Sequence, residues 1–336
     1  MTGWGACETL AAMCATAITS FQSIVTVTPN TAVDRVIQVP GFAIGAHRKG
    51  ARLARMPAGK GVNVSRVLAL LGQRSIATGF VGDAELAEFD RLAERSLITS
   101  QFLAVEGSTR ENITLLDPEQ NVETHVRTTG FVVQERDVER LRRKLGLLAK
   151  PGVLISFGGS LPEGLEPGVA VAMLEAARSA GAALALDLDG AVLRRLRETP
   201  AWLVKCNREE FLAAHAGLAD EEDAIVARGR KWSQSIGVVV VTNGGAGGYL
   251  FSGGSAWRGR SALDPRAVVS TVGCGDALLA GFIAAVQQGK SVLDAYAFSL
   301  ATATAAATSA VPGEFDPQVV DDLLKRTTVT QLDATD

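Results

Sequence analysis

The chain has 336 residues, 47% of them hydrophobic and 21% charged, with a formal net charge of −3. That length can bury a large core as one α/β domain or two, and the composition excludes a disordered chain. The slight negative balance excludes a global field for nucleic acid or an anionic membrane, so an anionic ligand must be held by local basic residues.

Residues 1–20 are expected to form an N-terminal extension outside the fold. The stretch 10–18 is mildly apolar, yet the first basic residue of the chain is Arg35, so the positive region of a secretory signal is missing. It is also shorter than the roughly 20 apolar residues of a membrane span. Met13 offers an alternative start. The four cysteines, Cys7, Cys14, Cys206 and Cys274, are scattered with no C-x-x-C pair, which argues against a zinc site or a disulfide framework and fits a reducing cytoplasm.

Short β-branched runs then alternate with helical patterns. Residues 24–28 read as the first strand, ended by Pro29-Asn30. Residues 62–71 place Val64, Val67, Leu68 and Leu71 on one helix face. A strand is expected over 76–81, closed by Gly82-Asp83, and a helix over 84–95. Residues 153–157 form a buried strand ending in Gly158-Gly159-Ser160. A helix over 169–180 leads to a strand over 183–186 with Asp187 at its end. Two further strands, 202–205 and 238–241, are separated by helices. This alternation predicts an α/β fold with a mostly parallel sheet and helices on both faces.

Two stretches break the rhythm. Residues 33–56 carry alternating patterns without a long helix, and 112–127 read as a hairpin turned at Asp117-Pro118-Glu119-Gln120-Asn121. They predict a small side sheet, serving as lid or subunit contact, inserted at about 33–57 and 102–128 of a single domain spanning 21–330.

Ligands of open parallel sheets bind beyond the carboxyl ends of the strands, and the informative polar groups fall there. Asn30 and Asp34 follow the first strand, and Ser160 and Asp187 follow others. Lys205-Cys206-Asn207-Arg208-Glu209-Glu210 and Thr242-Asn243-Gly244-Gly245-Ala246-Gly247-Gly248 complete the row. The last of these is equally compatible with a plain hairpin turn.

Two glycine-rich turns open helices. Pro57-Ala58-Gly59-Lys60-Gly61-Val62-Asn63-Val64 offers backbone N–H groups, an ammonium and an amide, which suits a hydroxylated or phosphorylated ligand or a solvated loop. Its spacing is neither a Walker A loop nor a dinucleotide fingerprint, which argues against a nicotinamide dehydrogenase. Ser270-Thr271-Val272-Gly273-Cys274-Gly275-Asp276 precedes an almost wholly apolar run to Ala284. A helix N-terminus of this kind can hold an anion. Taken alone, Asp276 either caps that helix or has a task at the ligand.

With these motifs in this order, the chain resembles the ribokinase-like (phosphofructokinase B) family of carbohydrate kinases from Ile24 to about Leu324. The signatures are Gly59-Lys60-Gly61-Val62-Asn63-Val64, Gly159-Ser160-Leu161-Pro162-Glu163-Gly164, the Lys205–Glu210 and Thr242–Gly247 segments, and Thr271-Val272-Gly273-Cys274-Gly275-Asp276. Within the family it is most similar to 1-phosphofructokinases and tagatose-6-phosphate kinases. That likeness rests on Thr28-Pro29-Asn30-Thr31-Ala32-Val33-Asp34, Lys60, Thr109-Arg110-Glu111-Asn112 and Ser270.

The resemblance implies a ribokinase-like fold with a β-sheet lid, and a cytoplasmic kinase using ATP and Mg²⁺ on a ketohexose monophosphate, fructose 1-phosphate first. Nucleic acid and membrane are not among the implied partners; a homodimer through the lid sheet is. It implies Asp276 as general base and the amides of Gly273, Cys274 and Gly275 as an anion hole for the moving phosphoryl group. Asp34, Gly59 and Asn63 would hold sugar hydroxyls, with Ser160 on the same side. Lys60 and Arg110, with Arg48 as a third, would hold the phosphate already on the substrate. Lys205, Asn207, Thr242, Gly244 and Gly247 would line the nucleotide pocket, and Asn207 with Glu210 would order Mg²⁺ through water.

The sequence departs from the family at Cys274 (usually Ala), Cys206 (commonly Pro) and Asp189 (commonly Ser). Residues 124–130 lack the Asn and Pro typical of 1-phosphofructokinases before Gly130. That departure leaves the sugar open at His125 and Arg127. Tagatose 6-phosphate, fructose 6-phosphate and an unphosphorylated sugar are the alternatives, although Lys60 and Arg110 would be uncompensated against a neutral sugar. A catalytically silent sugar-phosphate-binding regulator is the alternative from another class. The position of Cys274 at a helix N-terminus predicts a lowered thiol pKa.

Overall fold

The computed structural model describes residues 20–94, 97–188, 190–197 and 199–333. The expected extension up to residue 19, Met13, Cys7, Cys14 and Asp189 lie outside the described residues. The strands are, in chain order, β1 (Ser23–Thr28), β2 (Ala32–Gln38), β3 (Ala51–Ala58), β4 (Ser75–Gly82) and β5 (Ile98–Ser100). Next come β6 (Leu103–Val105), β7 (Arg110–Asp117), β8 (Val122–Arg127), β9 (Val153–Gly159) and β10 (Ala183–Leu188). The last are β11 (Leu203–Asn207), β12 (Val238–Thr242), β13 (Gly248–Ser252), β14 (Ser255–Ser261) and β15 (Thr327–Leu332).

The large sheet runs β15-β14-β13-β12-β11-β10-β9-β1-β4-β5, with β6 also paired to β4. From β12 to β5 its pairings are parallel, and the β13–β15 edge is antiparallel. Its central strands are buried on both faces, which is why they read as unbroken apolar runs. Val25, Val27, Ile155 and Phe157 join a core with helices Glu135–Leu148, Pro167–Ser179 and Glu222–Trp232. Ile24, Leu154 and Val240 join the opposite core with helices Lys60–Leu70, Cys274–Gln287 and Val292–Ala306. The chain moves from β1 outward to β4 and later returns to β9 on the other flank, so the sheet reverses direction at β1 and β9. The crevice beyond such a reversal is the expected ligand site.

The four-stranded side sheet has the order β3-β2-β7-β8. Its hairpin turn is pinned by Asp117, whose carboxylate accepts from the N–H groups of Gly41 (3.0 Å) and Phe42 (2.9 Å). β5 and β6 pair with β4 of the large sheet rather than with this one, so its second half starts at Arg110 instead of about 102. The single helix expected over 84–95 is instead a broken run, Asp83–Glu85, Leu86–Asp90 and Arg91–Glu94. Glu85 accepts from the N–H of Thr109 at 2.7 Å, tying the first of these turns to the root of the side sheet. β10 continues two residues past the predicted end at 186 and carries Asp187 within the strand.

Candidate active site

Two helices converge beyond the β1–β9 crevice. The first, Lys60–Leu70, follows β3 with only Gly59 between them. Gly59 has φ 120°, a conformation open to glycine, and the O of Gly59 accepts from Asn63 N at 2.9 Å. The second, Cys274–Gln287, starts after Gly273. Its cap residue supplies no side chain, and Asp276 lies in the first turn without acting as the cap. The carboxylate instead reaches across to the first helix: Asn63 Nδ2 donates to Asp276 Oδ2 at 2.8 Å. The reading of Asp276 as a helix cap is therefore set aside.

Asp276 is buried, and its pKa is pushed up to about 6. Burial is the largest cause and the nearby Asp187 carboxylate the next, opposed by Lys205, Lys60 and the Asn63 amide. Asp187 is fully buried and holds both ammonium groups, Lys60 Nζ at 2.7 Å on Oδ1 and Lys205 Nζ at 2.8 Å on Oδ2. Burial alone would raise Asp187; Lys205 and Lys60 outweigh it and hold its carboxyl below the usual range. Lys60 also lies 3.6 Å from Glu210. Burial would lower its pKa, but Asp187, Glu210 and Asp276 reverse that and hold the ammonium charged. Lys60 is thus turned to Asp187 of the large sheet and to Glu210 on the helix that follows β11, whereas Arg110 is held by backbone carbonyls at the root of the side sheet.

The amides at the second helix face the same place. Cys274 N donates to Thr271 O at 3.4 Å within the turn, while the next N–H, that of Gly275, has no partner inside the helix. A Cβ on Gly275 would lie 2.6 Å from Lys205 Nζ, so the glycine is what lets that ammonium approach the helix end. The Cys274 thiol does not have the lowered pKa expected at a helix N-terminus. Burial, then the charges of Asp276 and Glu123, push it up to about 12.

Asn207 and Glu210 form a reciprocal cap: Glu210 N donates to Asn207 Oδ1 (2.7 Å) and Asn207 N to Glu210 Oε2 (2.8 Å). Thr242 pairs in register with Asn207, and Gly244 and Gly247 lie in the turn joining β12 to β13, so this segment is a hairpin turn as well as a flank of the site. On the opposite flank Asn30 Nδ2 donates to Ser160 Oγ at 3.2 Å, across the crevice.

Asp34 lies on the side sheet, where Asn112 Nδ2 donates to Asp34 Oδ1 at 2.8 Å. Burial raises its pKa, opposed by Asn112, Arg66, Arg110 and Arg127. Arg110 donates from Nη2 to Asn30 O (3.1 Å) and from Nε to Thr31 O (3.3 Å). Arg48 is not brought to this group. It is exposed and lies against Gly41 and Glu119 at the Asp117 turn, at the far end of β7 and roughly 20 Å along the strand from Arg110. Two acceptors, Asn63 Oδ1 and Asn112 Oδ1, are buried with no hydrogen-bond partner. Such orphans cost about 1–3 kcal/mol each unless a ligand hydroxyl satisfies them.

The profile of the pfkB family carbohydrate kinases matches residues 25–318. The chain belongs to this family. As a pfkB carbohydrate kinase it uses ATP. The 1-phosphofructokinase of Xanthomonas campestris is 33% identical over 84% of this chain and 90% of its own length. That of Haemophilus influenzae is 28% identical over 93% and 99%. Among solved structures, one described as a possible 1-phosphofructokinase from Thermotoga maritima aligns with a TM-score of 0.82 at 28% identity, over 93% of this chain and all of that one. Phosphofructokinase-2 from Escherichia coli shares the fold at TM-score 0.83 and 20% identity, over 90% and 98%. Among the described residues of this pfkB kinase no helix is long and apolar enough to cross a membrane.

The contacts of the candidate site that sequence reasoning missed are those of Asp187 as the anchor of both lysines and Asn112 as the partner of Asp34. Asn112 carried a signal, since it stands two residues after Arg110 and so shares its face of the strand.

Proposed function

We propose that this kinase transfers the γ-phosphoryl group of ATP to a ketohexose monophosphate, with fructose 1-phosphate as the acceptor and fructose 1,6-bisphosphate as the product. The observation that carries the reading is the Asp276–Asn63 pair, a buried carboxylate poised near neutrality beside a helix N-terminus and two lysines. The names of the relatives support the choice of sugar phosphate.

Asp276 would accept the proton of the attacking hydroxyl, and a base of this pKa is well placed for neutral pH. Asn63 holds Oδ2 in place and leaves Oδ1 for the substrate. The Gly275 amide with Lys205 and Lys60 would stabilise charge on the moving group, in a site where positioning and electrostatics supply most of the rate. Asp34, Asn63 and Asn112 would bind sugar hydroxyls, and the two orphaned amide oxygens fit hydroxyl donors. Among the described residues no cluster of three His, Cys, Asp or Glu could hold a metal directly. The Glu210 carboxylate, with its side chain 20% exposed, fits a water-mediated contact, and Mg²⁺ when bound would neutralise phosphate charge. We also propose a homodimer through the outer face of the side sheet, where Leu53, Val122 and Val126 are each about half exposed.

The test is ADP release across fructose 1-phosphate, fructose 6-phosphate, tagatose 6-phosphate, fructose and ribose. Turnover led by fructose 1-phosphate supports the reading; no ADP release with any of the five sinks it in favour of a binding protein.

A further inference from the structure

We infer that Arg127, at the end of β8, works with Arg110 as a two-guanidinium clamp on the phosphate that the sugar already carries. The inference rests on the proposed kinase reading and names the residue that would set its substrate class.

Four side chains meet on one face at the root of the side sheet. Arg110 and Asn112 stand two apart on β7 and so point the same way. Asn112 is in register with Asp34 of β2 on one side and with Arg127 of β8 on the other. Asn112 Nδ2 is taken by Asp34, and its Oδ1 is buried with no partner. Arg110 uses Nε and Nη2 on backbone carbonyls and keeps its other N–H groups. Arg127 is exposed, and its side chain makes no hydrogen bond or ion pair among the described residues.

Two guanidinium groups close enough to repel are an unfavourable arrangement for an empty protein. Burial and then Arg127 make the Arg110 charge harder to hold, with Asp34 the single acid that offsets them. A phosphate dianion between the two arginines removes the repulsion, and guanidinium forks match its oxygens. Asp34, already engaged by Asn112, is left to accept from the neighbouring sugar hydroxyls. Of the other cations expected on this phosphate, Arg48 lies at the far end of the side sheet and Lys60 is held by Asp187 and Glu210. Arg127 takes their place.

Arg127→Asn and Arg127→Lys are tested beside Arg110→Ala in the full chain. The readouts are steady-state kinetics with fructose 1-phosphate and calorimetric binding of inorganic phosphate. Arg127→Asn is expected to raise the sugar-phosphate KM roughly 10- to 100-fold, the factor of one charge-assisted fork, with kcat and the KM for ATP nearly unchanged. Phosphate binding weakens in parallel, and Arg127→Lys recovers part of both. An unchanged KM and unchanged phosphate affinity in Arg127→Asn, with an active wild type, overturn the clamp and leave the kinase reading standing. A wild type that turns over no sugar phosphate but binds phosphate through Arg127 overturns the kinase reading and keeps the clamp. Failure of the wild type to bind either probe overturns the clamp.

Discussion

Asn63 and Asp276 are 213 residues apart in sequence, and the 2.8 Å hydrogen bond between them fastens the first turns of two helices together at the mouth of the crevice. If Asp276 is the base, Asp276→Asn should cut turnover by about 10²–10⁴-fold and leave ATP affinity nearly intact. Near-normal kcat in this variant would remove Asp276 from the chemistry.

The same carboxyl sets a pH dependence. Its folded pKa of about 6 lies above the ordinary 3.8. Activity should therefore fall as pH drops through 6, the base becoming protonated. Asn63→Ala removes a donor that favours the ionised form, so the acid limb of kcat should move to higher pH. A limb at the same pH in both proteins would mean that another group titrates.

For stability the sign is opposite to that of an ion-paired acid. Folded Asp276 keeps its proton to about 6 while the unfolded chain releases it near 3.8, so its contribution is full below 3.8 and is lost as pH rises to 6. Asp276→Asn should then melt about 2–5 °C higher than wild type at pH 7.5, with the gap narrowing below pH 6 and closing near 3.8. Equal melting temperatures at pH 7.5 would show that the buried charge carries no such cost.

Asp187→Asn leaves Lys205 buried without its acid and Lys60 with Glu210 alone. Unfolding in denaturant should show a loss of about 2–3 kcal/mol, the lower end because Lys60 is partly exposed. Asp187 is also the second cause raising Asp276, so the acid limb of residual activity should move to lower pH. Loss of stability without that movement would separate Asp187 from the base.

Cys274 should react slowly with iodoacetamide at pH 7.5, because its thiol is held up to about 12. Peptide mapping, which separates it from the other cysteines, should find it mostly unmodified after a free-thiol peptide is fully alkylated. Fast labelling would restore the expectation of a reactive thiolate.

The parallel sheet was legible because Ile24–Thr28, Val153–Phe157 and Val238–Val241 are too apolar and β-branched for anything but strands buried on both faces. The hairpin was legible through the turn chemistry around Asp117. The partners of the charges were not. Lys60 reads as a substrate cation until β10 delivers Asp187 beneath it, and Cys274 reads as a reactive thiol until burial, with the charges of Asp276 and Glu123 added to it, raises its pKa. Arg48 reads as a third phosphate ligand, but it sits in the connection between β2 and β3, which lies at the end of the side sheet away from Arg110. For Lys60 a contact with a residue distant in sequence decides the charge environment, for Cys274 it is mainly burial, and for Arg48 it is the place of its loop in the sheet; local pattern carries none of these.

The hand-over from β3 to the Lys60–Leu70 helix through Gly59 alone has one more consequence. If the side sheet serves as a lid and Asp276 as the base, β3 and the helix that holds Asp276 through Asn63 would be two arms of one lever, and the position of the sheet would be felt at that carboxylate. Water entering an open crevice would meet a carboxylate whose Asn63 support is displaced, and futile ATP hydrolysis would be suppressed until an acceptor alcohol draws the sheet down. In this chain the safeguard against waste would be mechanical, resting on a single residue without a side chain.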